Sequence, residues 1–446
     1  MNAILRAISV AALLGTLAWG QLKVPITYYK LPNGLKVVLS KDATAPIVSV
    51  AIYYGIGMRL EARDRTGFAH LFEHMMFAGS KNLSRKQLRN LIEGNGGIFG
   101  GSTRFDFTDY WEIVLSNRLE PTLWAEADRM NGLVLNEENL RIEKGIVSNE
   151  VKVNVLNRPY GGFPWIDMPQ YANKNWHNAH NFYGDLHDIE AATLEDVKSF
   201  FKAYYAPNNA ALAIVGDFDE GQVKAWVAKY FGALPAQPPG PRPDLTEPRQ
   251  SEEIHASRVD KIAKHPALAI AYHLPDPRTP EHYAAVLIDV ILRQGSDSLL
   301  SKELVNKRGY TTTVSGGINL LSDAFDYTGP MLWIANLIHD NSVPAADIVA
   351  AIDQVMAQLQ DVPVTREQLD RALIQFRSSF YIQLSEYGTL GRAFFIAALA
   401  LLYDDPGFIN RVEGELKKVD PALIQKVARE YFRKTNRTVL TLEVAK

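Results

Sequence analysis

Residues 66–77 read TGFAHLFEHMMF, and this segment is the one from which the fold of the chain can be worked out. Its apolar spacing predicts a helix, with Thr66 or Asp64 available as the N-terminal cap. Residues four apart share one face of a helix, so His70 and His74 can offer two imidazoles to a single metal ion.

Glu73 lies beside this pair of histidines, one residue before the second. A carboxylate there can take a proton from a water molecule on the metal, as in zinc peptidases with the inverted His-x-x-Glu-His order. The same pattern also fits two solvated or core histidines on an ordinary amphipathic helix. A catalytic zinc site would need a third protein ligand from another helix.

A predicted helix from Glu137 to Asn154 offers that ligand. Glu143 and Glu150 are seven residues apart, close to two helical turns, and so lie on one face. Glu150 can coordinate the metal, and Glu143 can hydrogen-bond a ligand histidine. Two glutamates alone would favour a solvated, charged helix face. Together with two neutral histidines, one carboxylate leaves a zinc ion with a net charge near +1, which favours ionisation of bound water.

The remaining pattern predicts an α+β fold. β-Branched and apolar runs predict strands, and helical periodicity predicts the helices. In the first half we expect strands at Leu35–Leu39, Ile47–Tyr54 and Thr108–Leu115, and helices at Lys86–Glu93 and Leu119–Met130. In the second half we expect strands near Ala267–His273 and Tyr327–Ala335, and long helices from Ala345 and Arg366.

A proline-rich segment divides the chain into two parts of similar size. Residues 235–248 read PAQPPGPRPDLTEP and contain six prolines. Proline cannot donate a ladder hydrogen bond and disfavours helix before it, so the segment is expected to be a semi-rigid, extended linker. We predict an N-terminal domain over residues 21–234, a linker over residues 235–252 and a C-terminal domain over residues 253–446.

The two predicted domains resemble each other. Residues 196–215 read DVKSFFKAYYAPNNAALAIV and residues 423–442 read LIQKVAREYFRKTNRTVLTL, at a constant offset of 227 residues. Each is an amphipathic helix ending in paired aromatic residues, followed by a turn with Asn209 or Asn436 and a β-branched strand. A period this long indicates a duplicated domain, although two helix–strand units can also be alike by chance.

Residues 1–20 have the pattern of a secretory signal peptide. Arg6 is the only charge before Lys23, an apolar stretch runs from Ala7 to about Leu17, and small residues follow at the cleavage position. An N-terminal membrane anchor is the alternative, but the run is short for a membrane span. We expect export, with cleavage after Gly20, to a bacterial periplasm.

The overall composition is that of an ordinary soluble protein. Of 446 residues, 47% are hydrophobic and 22% charged, and the formal net charge is −3. No basic excess points to nucleic acid or to a membrane surface. The apolar run Ala393–Tyr403 is too short for a stable membrane span and is expected to be a buried core helix. The chain has no cysteine, so neither a disulfide nor a lipidated cysteine is possible.

These motifs together resemble the pitrilysin/insulinase family of metallopeptidases, in the short-chain bacterial branch similar to mitochondrial processing peptidase. The resemblance covers nearly all of the chain after residue 20. It rests on the segments Tyr54–Glu61, His70–His74 and Thr193–Asp217, and on Glu143 with Glu150. It implies two duplicated α/β-roll domains, each an antiparallel sheet packed by helices, that form half of a clamshell.

The resemblance also implies a role for each candidate site residue. The positions matching His70, His74 and Glu150 bind zinc in the family. The position matching Glu73 is the general base, and the position matching Glu143 is a supporting acid. Zinc is therefore the expected metal, although manganese or cobalt could replace it at such ligands.

Peptide substrates of the family bind as an added strand along a sheet edge. The matching strand is expected at Phe107–Leu115, preceded by the glycine-rich segment Gly96–Thr103. Gly100 stands where the family usually has an asparagine, which removes a side-chain contact to the substrate backbone.

A second departure concerns the C-terminal half. Active family members carry an arginine and a tyrosine, seven residues apart, that stabilise the oxyanion, and this chain has Val305 and Thr312 at those positions. We therefore expect the catalytic subunit of a heterodimer, a zinc endopeptidase or oligopeptidase acting on short or unfolded peptides, whose homologous partner supplies Arg and Tyr. The alternatives are a self-sufficient homodimeric peptidase and a non-catalytic scaffold homologue.

Overall fold

Two β-sheets follow each other along the chain in a computed structural model that describes residues 23–445. The expected signal peptide, residues 1–20, lies outside the described residues. The strands of the first sheet are β1 Thr27–Lys30, β2 Lys36–Lys41, β3 Ile47–Tyr54, β4 Ile98–Thr103, β5 Thr108–Leu115 and β6 Ala210–Gly216. The strands of the second sheet are β7 Ile254–Asp260, β8 Ala267–His273, β9 Ser315–Ile318, β10 Leu332–Ile338 and β11 Arg437–Val444.

Helices surround both sheets. Those before residue 235 are α1 Phe68–Met75, α2 Arg85–Ile92, α3 Leu119–Asn131, α4 Glu137–Val151, α5 Asp167–Ala172, α6 Trp176–Ala179, α7 Leu186–Ala191, α8 Leu194–Tyr204 and α9 Glu220–Phe231. Those after residue 253 are α10 Pro280–Arg293, α11 Ala345–Asp361, α12 Arg366–Leu384, α13 Leu390–Tyr403, α14 Val412–Leu416 and α15 Pro421–Tyr431. A π-helical segment, Lys152–Leu156, continues α4.

Apart from the additional edge strand β1 of the first sheet, the two sheets have the same topology. The first has the order β1-β2-β6-β3-β5-β4, and the second has the order β7-β11-β8-β10-β9. In each sheet the last strand of the half pairs in parallel with one neighbour, β6 with β2 and β11 with β7, and the other pairs are antiparallel. Each sheet is therefore mainly antiparallel, as predicted, with one parallel pair.

The 227-residue repeat seen in the sequence has a structural counterpart. Helix α8 and strand β6 correspond to α15 and β11 at that offset. Asn209 Nδ2 donates to the carbonyl of Tyr204 at 2.8 Å, and Asn436 Nδ2 donates to the carbonyl of Tyr431 at 2.7 Å. Each asparagine satisfies a carbonyl that the end of its helix leaves unpaired. These shared details support a duplicated unit.

Each sheet is covered partly by a helix from the other half of the chain. Helix α13 packs on β3 and β6 of the first sheet, where the ring of Phe394 lies 6.2 Å from the ring of Tyr53 between centroids. Helix α5 packs on β7, β8 and β11 of the second sheet. The two halves therefore share one hydrophobic core. Each fully buried large apolar side chain in it contributes about 1.5–3 kcal/mol to the stability of the fold. The apolar run predicted to be a core helix is confirmed as such in α13.

The strand predicted at Tyr327–Ala335 begins only at Leu332. The backbone before it is held by side chains instead of by a sheet. Asp326 Oδ1 accepts from the backbone N–H of Asp323 at 3.0 Å, and Thr328 N–H donates to Asp106 at 3.1 Å. Hydrogen bonds of this kind compete with a strand ladder for the backbone groups.

Among residues 23–445, no helix combines the length and the apolar character needed to cross a bilayer.

Candidate metal centre

Helix α1 places His70 and His74 with their Nε2 atoms 3.3 Å apart. The rings stand edge to face, with centroids 4.8 Å apart. His70 is only 4% exposed, and His74 is half-buried. Two imidazole nitrogens that face each other this closely fit ligands of one cation better than two solvated histidines.

Helix α4 brings Glu150 to the same point. Its Oε1 lies 3.6 Å from His70 Nε2, and its Oε2 lies 3.2 Å from His74 Nε2. One ligand atom from each of the three side chains lies within 4.8 Å of the others, and in the part of the chain that the structure describes no other group of three such residues does so. Imidazole and carboxylate donors in this number suit Zn²⁺ with a fourth position open to water.

Glu73 sits on α1 between the two histidines in sequence. The Thr103 hydroxyl, at the end of β4, donates to Glu73 Oε2 at 2.8 Å. This bond fixes the carboxylate beside the three candidate ligands, on the side of the edge strand β4.

Glu143 lies seven residues, or about two helical turns, before Glu150 on α4 and is 1% exposed. Its Oε2 is 3.9 Å from Nδ1 of His74, and its Oε1 accepts from the Arg85 guanidinium at the start of α2. The separation from His74 is longer than a hydrogen bond. The position suits a carboxylate that orients the ring of His74 from behind.

The start of α1 differs from the sequence prediction, which was wrong in naming Thr66 or Asp64 as the cap. The N-cap is Gly67, at φ 80°, a conformation that glycine adopts without strain. Glu61 provides the capping interaction from outside the helix, because its carboxylate accepts from Gly67 N–H at 2.8 Å and from Ala69 N–H at 2.7 Å. A negative charge at a helix N-terminus is favourable.

Two histidines, His177 and His180, lie in the loop Trp176–Asp188, which includes the short helix α6 and the start of α7. His180 Nε2 lies 3.2 Å from Glu61 Oε2, and its ring stacks on Trp176 with centroids 4.2 Å apart. His177 Nδ1 donates to the carbonyl of Arg59 at 3.0 Å. The loop therefore contacts the same carboxylate that caps α1.

Tyr183 from this loop reaches the candidate metal ligands. Its hydroxyl donates to Glu150 Oε1 at 3.2 Å. Its ring meets the ring of His70 edge to face, with centroids 4.9 Å apart. No local pattern predicts this role, because Tyr183 is more than 100 residues away from His70 along the chain.

Burial and neighbouring charges shift the pKa values of four side chains of the site. Burial lowers the pKa of His70 to about 4, which keeps its imidazole neutral. The hydrogen bond from His74 lowers the pKa of Glu150, which keeps it ionised. Burial alone would lower the pKa of His74, but its hydrogen bond to Glu150 and the neighbouring carboxylates raise it. Burial raises the pKa of Glu73 to about 7, against the opposing hydrogen bond from Thr103.

The predicted peptide-binding strand needs a correction. Strand β5, within the predicted segment Phe107–Leu115, has neighbours on both sides, β3 and β4. Both of its edges are therefore hydrogen-bonded within the sheet, and the free edge beside Glu73 belongs to β4, Ile98–Thr103. An added strand can pair only with such an edge.

Gly100, in the middle of β4, lies under an aromatic ring. It faces Trp111 of β5, and a Cβ atom at position 100 would come within 2.6 Å of that ring. Trp111 therefore fills the space that an asparagine at position 100 would need.

Of the two positions where the family has arginine and tyrosine, Val305 lies in the π-helical segment Ser301–Lys307 and Thr312 lies shortly before β9. Val305 packs at the edge of the core, and Thr312 is exposed. The nearby Arg308 is engaged elsewhere, with Glu303 at 2.6 Å and Gln354 at 2.9 Å. Neither position supplies a charge or a phenol.

Two family models match the chain. The one described as "Insulinase (Peptidase family M16)" matches residues 36–160, and the one described as "Peptidase M16 inactive domain" matches residues 191–376. The first match contains all five candidate site residues.

Relatives resemble the chain along most of its length. The zinc protease PqqE of Helicobacter pylori is 26% identical over 93% of this chain and 91% of its own length. A probable mitochondrial-processing peptidase subunit beta of Schizosaccharomyces pombe is 23% identical over 79% of this chain and 78% of its own.

Solved structures agree with the fold. A protease from Helicobacter pylori superimposes with a TM-score of 0.86 at 24% identity, covering 94% of this chain and all of that one. The periplasmic protease PqqL of Escherichia coli gives a TM-score of 0.75 at 15% identity, covering 95% of this chain but 48% of PqqL. The chain thus has the fold of one half of a longer peptidase, as expected for half of a clamshell, and with family models matching both of its halves it belongs to the insulinase family of peptidases, family M16.

Proposed function

We propose that the protein is a zinc-dependent endopeptidase or oligopeptidase that hydrolyses short or unfolded peptides, with zinc held by His70, His74 and Glu150. The observation that carries this proposal is the convergence of those three side chains beside the carboxylate of Glu73. The name of the Helicobacter relative as a zinc protease supports it.

Each polar residue of the site has a part in the proposed reaction. Zinc, when bound, supplies Lewis-acid activation of the attacking water and the scissile carbonyl. Glu73 accepts a proton as the water oxygen adds to the carbonyl carbon, and it returns that proton to the amine nitrogen as the C–N bond breaks. Thr103 holds Glu73 in place for both transfers, and Glu143 supports His74.

The substrate is proposed to lie as an added strand on the free edge of β4. Thr103, which binds Glu73, is the last residue of that strand. A peptide paired with β4 therefore passes the general base, and pairing through backbone groups tolerates many sequences.

A second, homologous chain is proposed to complete the oxyanion site. Val305 and Thr312 provide no donor comparable to arginine or tyrosine, and losing one such donor costs on the order of 100- to 1,000-fold in turnover. Similarity to a peptidase subunit named beta and to half of PqqL supports a two-part enzyme. A homodimeric peptidase and a scaffold without activity remain the competing functions.

We also propose export to the periplasm, with residues 1–20 as signal peptide, and domains over residues 21–234 and 253–446 joined by a linker. The charge and apolar pattern of the first twenty residues supports export.

The test is turnover of an unstructured, quenched peptide by residues 21–446 with zinc added, beside the Glu73→Gln variant and a measurement of bound metal. One zinc per chain and turnover that Glu73→Gln abolishes would establish the peptidase. Turnover that appears only with a homologous Arg/Tyr chain would establish the heterodimer. A chain that binds no zinc and stays inactive with the partner would favour the scaffold.

A further inference from the structure

The three candidate ligands come from two helices, α1 and α4, that are separated by 61 residues of chain between their ends, Met75 and Glu137. A metal centre built from separate elements depends on side chains that fix each ligand relative to the others. The loop from Trp176 to Asp188 touches both helices at the ligands.

Tyr183 is the residue of this loop that meets a ligand from each helix. Its hydroxyl donates to Glu150 of α4 at 3.2 Å, while its ring edge packs on His70 of α1. Within residues 23–445, Nδ1 of buried His70 has no hydrogen-bond partner. The orientation of the His70 ring therefore depends on packing, to which Tyr183 contributes directly.

The loop is also anchored to the start of α1. His180 contacts Glu61, whose carboxylate accepts the first N–H groups of the helix. Thr66 Oγ1 donates to Asp188 at 2.6 Å and accepts from Asp185 N–H at 2.8 Å. The loop and the start of α1 are thus joined at two points.

The other end of the loop is tied to the linker between the halves. Asn178 Nδ2 donates to the carbonyl of Leu245 at 2.9 Å and to Glu247 at 2.9 Å. Trp176 stacks on His180 in between. With both ends fixed, the loop can hold Tyr183 in one place relative to the helices.

We propose that Tyr183 is a positioning residue of the metal centre, which orients Glu150 through its hydroxyl and His70 through its ring, on a loop anchored by the Glu61–His180 contact. This inference rests on the proposed zinc site. It assigns to one side chain the alignment of ligands from two helices.

The test is zinc affinity, measured by competition with a chromophoric chelator on residues 21–446. Tyr183→Phe keeps the ring and removes the hydroxyl, and we expect it to weaken zinc binding by about 10- to 100-fold. Tyr183→Leu removes both contacts and should weaken it further. Tyr387→Phe, which removes the hydroxyl of a 63% exposed tyrosine, is the matched control and should bind like the wild type.

Two further measurements separate positioning from a general effect on folding. The metal-free unfolding temperature of Tyr183→Phe should equal that of the wild type. In a Glu150→Gln background, Tyr183→Phe should lower zinc affinity much less than it does alone, because the residue through which its hydroxyl acts has been changed. His180→Phe keeps a ring beside Trp176, removes the contact with Glu61 and should weaken zinc binding in the same direction.

Wild-type affinity in Tyr183→Phe, or an undiminished loss in the Glu150→Gln background, would overturn the inference while leaving the proposed zinc site standing. A wild-type chain that binds no zinc would overturn the proposed function and this inference with it.

Discussion

Gly100 and Trp111 show how one side chain restricts another across a pair of strands. The Trp111 ring occupies the space where a Cβ at position 100 would lie, with its Cζ2 atom at 2.6 Å. A residue on the edge strand β4 is thus limited to glycine by its neighbour on β5. The sequence showed only that the usual asparagine is missing, because cross-strand pairing cannot be read from local spacing.

We predict that Gly100→Ala destabilises the protein by about 1–3 kcal/mol, because the methyl group overpacks against the ring. Urea unfolding would measure the loss, and a second change, Trp111→Leu, should recover part of it. Gly132→Ala is the control. Its φ of 170° suits any residue, and no atom lies within 4 Å of the added Cβ, so its stability should change little. Equal stability of the two alanine variants would contradict the prediction.

Asp109 on β5 leads to a prediction about pH. It is 2% exposed and accepts a hydrogen bond from Ser102, and burial raises its pKa to about 6, against the charge of Arg104. A carboxyl whose pKa is higher in the folded than in the unfolded chain binds its proton more tightly when folded. Its contribution to stability is therefore present below about pH 4 and is lost as the pH rises to about 6.

Asp109→Asn keeps the shape without the ionisation. We predict that its stability relative to the wild type increases between pH 4 and pH 6, by on the order of 2–3 kcal/mol, and is level above pH 7. Urea unfolding of both proteins across this range would measure the difference. A difference that is constant with pH would show that Asp109 does not titrate in this range.

At the scale of elements, the sequence predicted most of the regular structure. Strands β3, β5 and β8 have the predicted bounds, and α3, α11 and α12 begin at the predicted residues. The apolar residues of these strands and helices recur with a regular period over a long stretch, so the local sequence is enough to predict the elements. The predicted spacing on α1 and α4 also brought the five candidate site residues together.

The elements that the sequence predicted poorly are held by distant side chains. The cap of α1 comes from Glu61, whose carboxylate is contacted by His180, a residue 112 positions after the helix start at Phe68. The edge position of β4 depends on the order of all six strands. Neither the cap of α1 nor the edge position of β4 has a signal in the local sequence. Both can therefore be seen only in the folded structure.

If the substrate pairs with the free edge of β4, residues exposed on that strand should lie close to the bound peptide. A photo-crosslinking amino acid at Ile98, which is 45% exposed on this strand, should capture an unstructured peptide in the presence of zinc. The matched control is Val259, 58% exposed on β7, an edge strand of the second sheet. Mass spectrometry of the adducts would decide, and equal capture at both positions would contradict binding at β4.

At the scale of the whole molecule, zinc should stabilise the folded chain. A ligand that binds only the folded state adds about 2.7 kcal/mol at a concentration 100 times its dissociation constant. For a chain of this length we expect a rise in unfolding temperature of about 3 °C. Chelation should reverse it, and His70→Ala should show no rise. A shift of the same size in His70→Ala would place the bound metal elsewhere.

Each sheet is covered partly by a helix from the other half of the chain, α13 on the first sheet and α5 on the second. We therefore predict that neither half folds alone. A chain of residues 23–234 lacks α13 and exposes the face of β3 and β6 that carries Ala51 and Tyr53, while residues 253–445 lack α5. We predict that each fragment, expressed alone, binds a hydrophobic dye and is digested rapidly by protease. Co-expression should restore a resistant complex. A resistant, dye-free N-terminal fragment would contradict the prediction.

The same arrangement of covering helices has a consequence for biosynthesis. Strand β6 ends at residue 216, but α13, which covers it, begins only at residue 390. At 5–20 residues per second, a ribosome needs roughly 10–35 s to add the intervening segment. Throughout that time the nascent chain presents an uncovered apolar sheet face. A chaperone that binds extended apolar surfaces therefore has its target on this polypeptide before synthesis is complete, and loses it when roughly the last eighth of the chain emerges.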